Sequence, residues 1–216
     1  MKYPKIETAW TRDPDTHKAE AGLYKKKEFA LINKWMITEK IDGMNVRVFW
    51  NTVTKTLDIR GRSDNAQFHP LILQMLRNEF LVHMLEGVFD NDCGEVILYG
   101  EAYGPKVQQG GKYTEVHRFR LFDVLVGDSW LEWYDIQDVA EKIGIYHVPV
   151  LHCDVDYIPT CRRALQDLVT QSEIAMIHGN HGVLAEGIVA RTDPQLYMKN
   201  GQRLMWKSKF TDFENE

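Results

Sequence analysis

The chain has 216 residues, room for one substantial core or two small domains, and its 44% apolar and 26% charged content is that of an ordinary globular protein. A net charge of −5 argues against a protein that coats nucleic acid non-specifically, while leaving room for a local basic groove from residues such as Lys25, Lys26, Lys27, Lys106, Lys112 and Arg118. The absence of a run of 18 apolar residues, of an apolar leader after Met1 and of any C-x-x-C among three cysteines predicts a cytoplasmic protein with reduced thiols, no membrane partner and no zinc knuckle.

Residues 1–35 are polar, with a turn signal at Asp13-Pro14-Asp15 and a helix expected around Glu20 to Leu31. Met36-Ile37-Thr38 reads as a strand. Val46 to Trp50 reads as another, with Val46, Val48 and Trp50 on one face and Asn45, Arg47 and Phe49 on the other. Asn51 to Lys55 turn the chain back through a strand over Leu57 to Arg62. Pro70 stands at a first helical position, and Ile72, Met75, Leu76, Phe80, Leu81, Met84 and Val88 form the stripe of one long helix ended by Asn91 to Gly94. Further strands are expected over Glu95 to Ala102, Arg118 to Val126, 146–153, Leu184 to Arg191 and Arg203 to Lys209. A Gly/Gln-rich loop spans Gly104 to Gly111, and helices are expected over 135–143 and from Pro159 to about residue 175. In Arg118 to Val126 the alternation sets Phe119, Leu121 and Asp123 against Arg120, Phe122 and Val124. Strands outnumber helices and tight turns join several neighbours, so the fold class is α+β, with mainly antiparallel sheets and helices on their outer faces. With no repeat, linker or low-complexity segment, the chain reads as a single domain, 1–216, with no OB-fold or other C-terminal domain.

Two local patterns fail on inspection. Gly110-Gly111-Lys112 lacks the first glycine of a phosphate loop, a position held by Lys106, and no Ser or Thr follows. Asp90 to Glu95 lacks the ligand spacing of a calcium loop. What remains is an ordered series at strand ends: Lys40-x-Asp42-Gly43, Gly61-Arg62-Ser63, Gly100-Glu101, Phe122-Asp123, Glu186-Gly187 and Lys207-x-Lys209. Each alone reads as a turn, a rim carboxylate or a core aromatic. Together they bring a lysine amine, further cations, carboxylates and an aromatic ring into one ordered series. A lysine is a poor nucleophile near neutral pH, with an ordinary pKa of ~10.4, unless neighbouring cations or a metal favour its free amine.

In that order and spacing the chain resembles the covalent nucleotidyltransferase superfamily, the ATP-dependent DNA and RNA ligases and the mRNA capping guanylyltransferases, over about Lys34 to Lys209. It most resembles the RNA ligases that include the phage double-strand-sealing enzymes, whose first motif also carries an asparagine at the place of Asn45. Short phage-type ligases share a stretch like Gly100 to Lys106. The resemblance implies an adenylyltransferase (ATP-grasp-like ligase catalytic) domain, two mainly antiparallel sheets flanking a nucleotide cleft. It implies that Lys40 attacks the α-phosphate of ATP to form a lysyl-AMP, that the AMP passes to a 5′-phosphate, and that a 3′-hydroxyl then displaces it. Lys207, Lys209, Arg62 and Mg²⁺ or Mn²⁺ would neutralise phosphates, and Glu186, with Asp42 or Glu101 as a second candidate, would hold the metal. Gly43 would let the backbone pass beside a phosphate. Glu101 would grip the ribose, Phe122 stack on adenine, Glu39 read its amino group, and Asn45 and Arg47 orient the attacked phosphate. The implied partner is nicked duplex nucleic acid (RNA, DNA or hybrid), met by a monomer. A DNA ligase, a GTP-using capping transferase and an inactive nucleic-acid-binding protein are the competing readings. Two departures stand out: Arg191 replaces the family's usual lysine, and the chain ends soon after Lys209, without the second domain of the larger enzymes.

Overall fold

The computed structural model describes residues 1–213. They divide into two compact units, called middle and flanking for their place in the sequence: Met1–Pro4 with Asp42–Val148, and Lys5–Ile41 with the chain from Pro149 onward.

The flanking unit begins with β1 (Glu7–Thr8), β2 (Trp10–Arg12), β3 (Ala19–Tyr24) and β4 (Trp35–Lys40). The helix expected around Glu20 to Leu31 is replaced by β3 and a short 3-10 turn, Lys27–Leu31. Pairing with β2 overrides the local helical tendency: Trp10 stands opposite Tyr24, their rings stacked at 4.7 Å, and Gly22 sits at φ 95°, outside helical space.

The middle unit contributes β5 (Met44–Asn51), β6 (Thr56–Gly61), α1 (Pro70–Glu79), α2 (Val82–Val88), β7 (Glu95–Tyr103), β8 (Arg118–Val126), β9 (Ser129–Trp130) and α3 (Trp133–Ile143). Its sheet is antiparallel throughout, in the order β6-β5-β7-β8-β9. Val46, Val48 and Trp50 are fully buried on one face, as their alternation predicts. The long helix expected from Pro70 is two. Phe80 leaves helical geometry and Leu81 is extended, which sends the Phe80 ring into the core edge-on to Phe119 at 5.1 Å. Burying a phenyl is worth ~1.5–3 kcal/mol, more than the ~1 kcal/mol net of a helical hydrogen bond given up. The break shifts the phase, so that Leu85 and Phe89 are buried and Leu81 faces outward.

The alternation expected in β8 is also interrupted. Tyr99 stands opposite Asp123 but Gly100 opposite Leu121, which leaves Phe122 as the extra residue of a β-bulge. Phe122 and Asp123 consequently both reach Tyr3: the two rings lie 5.0 Å apart, and the Tyr3 hydroxyl donates to Asp123 Oδ2 at 2.6 Å.

The chain returns to the flanking unit with β10 (Val150–Val155), α4 (Arg162–Leu168), α5 (Glu173–Ile177), β11 (Gly187–Arg191) and β12 (Met205–Lys209). The sheet order is β1-β12-β11-β4-β10, with β1 parallel to β12 and the other pairs antiparallel. Trp35 and Trp206, edge to face at 5.6 Å, centre its core with Ile37, Ile188 and Leu165. Instead of one helix from Pro159, two short ones form, the second opened by Ser172, whose hydroxyl accepts from Ala175 N at 3.0 Å. The strand expected over 146–153 starts later, at Val150. Cys93, Cys153 and Cys161 are free thiols, and among the described residues no helix is long and apolar enough to cross a membrane.

Glu79, at the end of α1, offers a test of this packing. Its Oε2 is buried without a hydrogen-bond partner, and burial pushes the carboxyl up to about 7 against the pull of Arg118 and Arg120. A carboxyl that protonates more readily folded than unfolded stabilises the fold fully below its ordinary value of 4.5, and that contribution is lost as pH rises through about 7. Glu79→Gln removes the titration. The variant should gain melting temperature relative to the parent as pH is raised from about 5 to about 8, and thermal melts with the same pH slope for both proteins would contradict the buried carboxyl.

Candidate functional site

In the flanking unit the polar residues at one sheet end are set by β11, which runs between β4 and β12. Gly187 is the Cα partner of both Lys40 and Lys209. Glu186, the residue before it, reaches both lysines: Oε2 accepts from Lys40 Nζ at 2.5 Å and Oε1 from Lys209 Nζ. The side chains of Lys40, Lys209 and Glu186 are 21%, 31% and 14% exposed, so water screens this cluster less than it would a surface pair. Lys207, two residues along β12, faces the same group. Burial pushes its ammonium pKa down, and the charges of Lys40 and Lys209 add to the effect. Two ammoniums pair with one carboxylate and a third stands near them, an arrangement suited to a polyanion.

Glu39 lies next to Lys40 but points elsewhere. Its carboxylate is 2% exposed and accepts from Ser172 Oγ at 2.5 Å and from the Ile174 N–H at 3.2 Å. Burial raises its pKa, and these two donors offset part of the rise. The end of β12 is fixed from another side, where Asp212 receives the Lys209 N–H at 2.9 Å and pairs with Arg12.

The middle unit carries the other residues expected from the sequence. Asp42 N donates to the Tyr113 hydroxyl at 3.3 Å, and a Cβ on Gly43 would lie 2.4 Å from the Ala102 carbonyl, so only glycine fits there. Asn45, Glu101 and Arg120 are neighbours in one row across β5, β7 and β8. The Asn45 Oδ1 is buried without a hydrogen-bond partner, an acceptor left open on this row. Arg47 is 2% exposed and each of its three nitrogens is engaged: Nε donates to Gly61 O at 2.7 Å, Nη2 to Asp64 at 2.8 Å and Nη1 to Met1 O at 3.3 Å. Its guanidinium holds the Asp64 carboxyl below the usual range. Arg62, in the turn that Arg47 braces, is exposed. Phe122 lies against Tyr3, as above.

The structure thus gathers Lys40, Glu186, Lys207 and Lys209 in one cluster and Asn45 and Glu101 in another. It directs Glu39 into the core of its own unit and Arg47 into a scaffold. Sequence reasoning missed Ser172, Asp212 and Tyr3. Ser172 could have been found, because Ser-Glu ahead of Ile174-Ala175 is a helix-start signal; nothing local marks the other two. Among the described residues no three His, Cys, Asp or Glu side chains converge as a metal-binding group.

The RNA ligase family model matches residues 33–209. Among solved structures, the RNA ligase of Naegleria gruberi with pyrophosphate superposes at a TM-score of 0.59 with 20% identity, covering 96% of this chain and 61% of that one. Mutants of the same protein with ATP and manganese, and with AMP and manganese, each give a TM-score of 0.60, at 17% and 18% identity. Their coverage is 96% and 95% of this chain and 61% of theirs. At this identity the likeness establishes the fold, and the chain spans 61% of the length of those proteins. No curated protein matches it.

The cluster depends on how closely β11 and β12 approach. A Cβ at residue 187 would fall 2.1 Å from the Ser208 carbonyl oxygen and 2.8 Å from the Lys209 Cα, both main-chain atoms that cannot swing aside. Gly187→Ala should therefore cost about 1–3 kcal/mol by forcing the strands apart. Urea titration would show it as a lower midpoint with unchanged slope; an unchanged midpoint would mean the strands have room to spare.

Proposed function

The chain belongs to the RNA ligase family, and on that premise we propose that it is an ATP-dependent polynucleotide ligase that works through a lysyl-AMP on Lys40. The observation that carries the proposal is the sharing of Glu186 by Lys40 and Lys209, with Lys207 beside them. A phosphate chain entering this cluster meets several cations at the end of one sheet. The amine of Lys40, once free of its proton, attacks the α-phosphorus of ATP; a P–N bond forms as the bond to pyrophosphate breaks. A 5′-phosphate oxygen then attacks the same phosphorus and returns the lysine. The 3′-hydroxyl finally attacks the 5′-phosphate, AMP leaves, and a phosphodiester is made. Each step is phosphoryl-type transfer, in which positioning and charge neutralisation do most of the catalysis.

Within the proposal, Glu186 orients Lys40 Nζ, while Lys207 and Lys209 hold the phosphates. Arg62 adds an exposed cation, and Arg47 acts by holding the turn that carries it. Glu101 takes the ribose, Phe122 the adenine face, and Asn45 offers its open Oδ1 to a donor. Glu39, expected to read the base amino group, is instead engaged by Ser172 and the Ile174 N–H. Mg²⁺ or Mn²⁺ suits the donor set, since such ions are often held by one or two carboxylates plus substrate phosphates, and Glu186, with Asp42 second, would hold it. When bound, the ion would neutralise charge on the phosphates. Solved relatives that carry ATP or AMP with manganese support both the nucleotide and the metal.

The direct test is labelling with α-³²P-ATP and Mg²⁺. The parent should acquire one acid-labile AMP, and Lys40→Ala none. Undiminished labelling of Lys40→Ala would end the proposal, and labelling by GTP in place of ATP would turn it towards capping chemistry. Phe122→Leu should raise the ATP concentration needed, by roughly the 5- to 150-fold that a ~1–3 kcal/mol stacking contact represents. An unchanged ATP dependence would make Phe122 a packing residue of the Tyr3 cluster.

For the nucleic acid, an acidic chain has little general phosphate affinity, which favours a nick, where both ends are already placed, over two free strands. The proposed substrate is a 3′-OH/5′-phosphate nick in duplex nucleic acid, with RNA accepted on the 3′-OH side. Comparing all-RNA, all-DNA and mixed nicks with unannealed strands decides this: faster joining of single strands would reverse the preference, and equal joining of every sugar at the 3′-OH side would remove its RNA component.

A further inference from the structure

The middle unit holds a second feature that the nucleotide-transfer chemistry does not use. A groove of about 550 Å³ runs between one face of α1 and the segment from Pro105 to His117. Its helix side presents Leu71, Gln74, Met75 and Asn78, one stripe at helical spacing, with His69 at the helix start.

Two imidazoles are its best-defined part. The rings of His69 and His117 lie 6.1 Å apart and only 27° from parallel. Both are anchored. His69 Nδ1 accepts from Leu71 N at 3.4 Å. His117 Nε2 lies 3.0 Å from the Pro105 carbonyl, which can only accept, so that nitrogen carries the hydrogen. The result is a fixed aromatic platform. Leu71 and Val116 at its edge are 54% and 50% exposed, large apolar side chains open to solvent beside the platform.

The polar groups around the platform are of two kinds. Gln74 and Asn78 are exposed carboxamides, each with a donor and an acceptor. Lys106 lines the groove, with Lys112 exposed on the same segment, Arg118 exposed just after it and Arg77 on α1; Glu115 is the opposing charge. In a chain of net charge −5 this segment is locally cationic. Lys106 also sits at φ 63°, a left-handed conformation costly for a lysine, held by a loop packed so closely that a Cβ on Gly104 would meet the Val116 carbonyl at 2.8 Å. A flat π-face, amide edges and a cation are what a nucleotide uses: base on ring, base edge on carboxamide, phosphate on lysine.

We propose that this groove binds one nucleotide of the nucleic-acid strand to be joined, with its base on the His69–His117 platform and its phosphate at Lys106. The identity of the ligand as a strand rests on the ligase reading above; a free nucleotide has the same chemistry and is separated from it by the test. His69→Asn keeps an acceptor at the helix start and removes the ring. Lys106→Gly removes the charge and suits the left-handed backbone, and it serves as the second probe should His69→Asn lower the melting temperature. Fluorescence anisotropy of labelled 5′-phosphorylated RNA and DNA oligonucleotides is measured on the full chain at several salt concentrations, with AMP as competitor. The expected Kd increase is about 5- to 150-fold for His69→Asn, and for Lys106→Gly a weaker binding with a shallower salt slope. AMP should not compete. Competition by AMP would replace the strand with a free nucleotide, and unchanged affinity in both variants at unchanged melting temperature would overturn the site, as would a parent that binds no oligonucleotide. Labelling of the parent by ATP, run without any strand, separates the two claims. Its failure removes the ligase reading and leaves the groove to the anisotropy result, whereas a failed anisotropy result removes the groove alone.

Discussion

The absence of a side chain at residue 187 is the constraint on which the lysine cluster depends. Because β11 can lie against β12 with nothing between their main chains, one position partners both Lys40 and Lys209, and Glu186 beside it reaches the two ammoniums together. Two like charges about 4 Å apart repel by roughly 4 kcal/mol at the dielectric of a protein surface. The shared carboxylate offsets that repulsion; the pKa of Lys207 is pushed down first by burial and then by the charges of Lys40 and Lys209. A site left cationic in this way is poised for an anion carrying several charges. The sheet register supplies the geometry, and electrostatics selects the class of ligand.

A second constraint is the bulge opposite Tyr99 and Gly100. Without it, strand alternation would send Phe122 and Asp123 to opposite faces; with it, both meet Tyr3. The first four residues are thereby tied to the middle unit, through Tyr3 to Asp123 and through the Met1 carbonyl to Arg47 and Tyr99. Arg47 shows how a charge can be buried at low cost: Asp64 pairs with it and two carbonyls occupy its remaining nitrogens. An arginine so fully employed holds neighbours in place rather than reaching for a ligand.

Much of this was legible in the sequence, and the failures have physical causes. Runs rich in apolar and β-branched residues located β5, β7, β8 and β11 within a few residues, because β7, β8 and β11 are buried along most of their length. Of the series expected at strand ends, Lys40 and Lys209 close β4 and β12 and Glu186 stands just before β11, while Phe122 and Asp123 lie in the middle of β8. The helix start at Ser172 carried a local signal, but the length of the helix from Pro70 did not: Phe80 interrupts a run whose composition suits a helix, and the cause is a contact distant in sequence, with Phe119. The strand at Ala19 to Tyr24 was missed for the same reason, since its partner is β2 and its own residues carry no alternation. The bulge at Phe122 had no local signal either. It is a property of the pairing between two strands, and a single strand's sequence does not contain it.

Glu39 shows how a residue outside the lysine cluster can still decide its geometry. Neighbouring residues on a strand point to opposite faces, so whatever buries Glu39 turns Lys40 the other way. The carboxylate is held by Ser172 and the Ile174 N–H, at a cost in burial that its raised pKa records. A slip of β4 by one residue would put the lysine ammonium against the Ile174 N–H and the Glu39 carboxylate beside that of Glu186. Both exchanges are unfavourable by the same electrostatics, so the slipped register is doubly excluded. The Glu39–Ser172 pair therefore acts as a pin on the register of β4. It is through that pin, together with the pairing to Gly187, that a lysine in a six-residue strand is presented in one direction only.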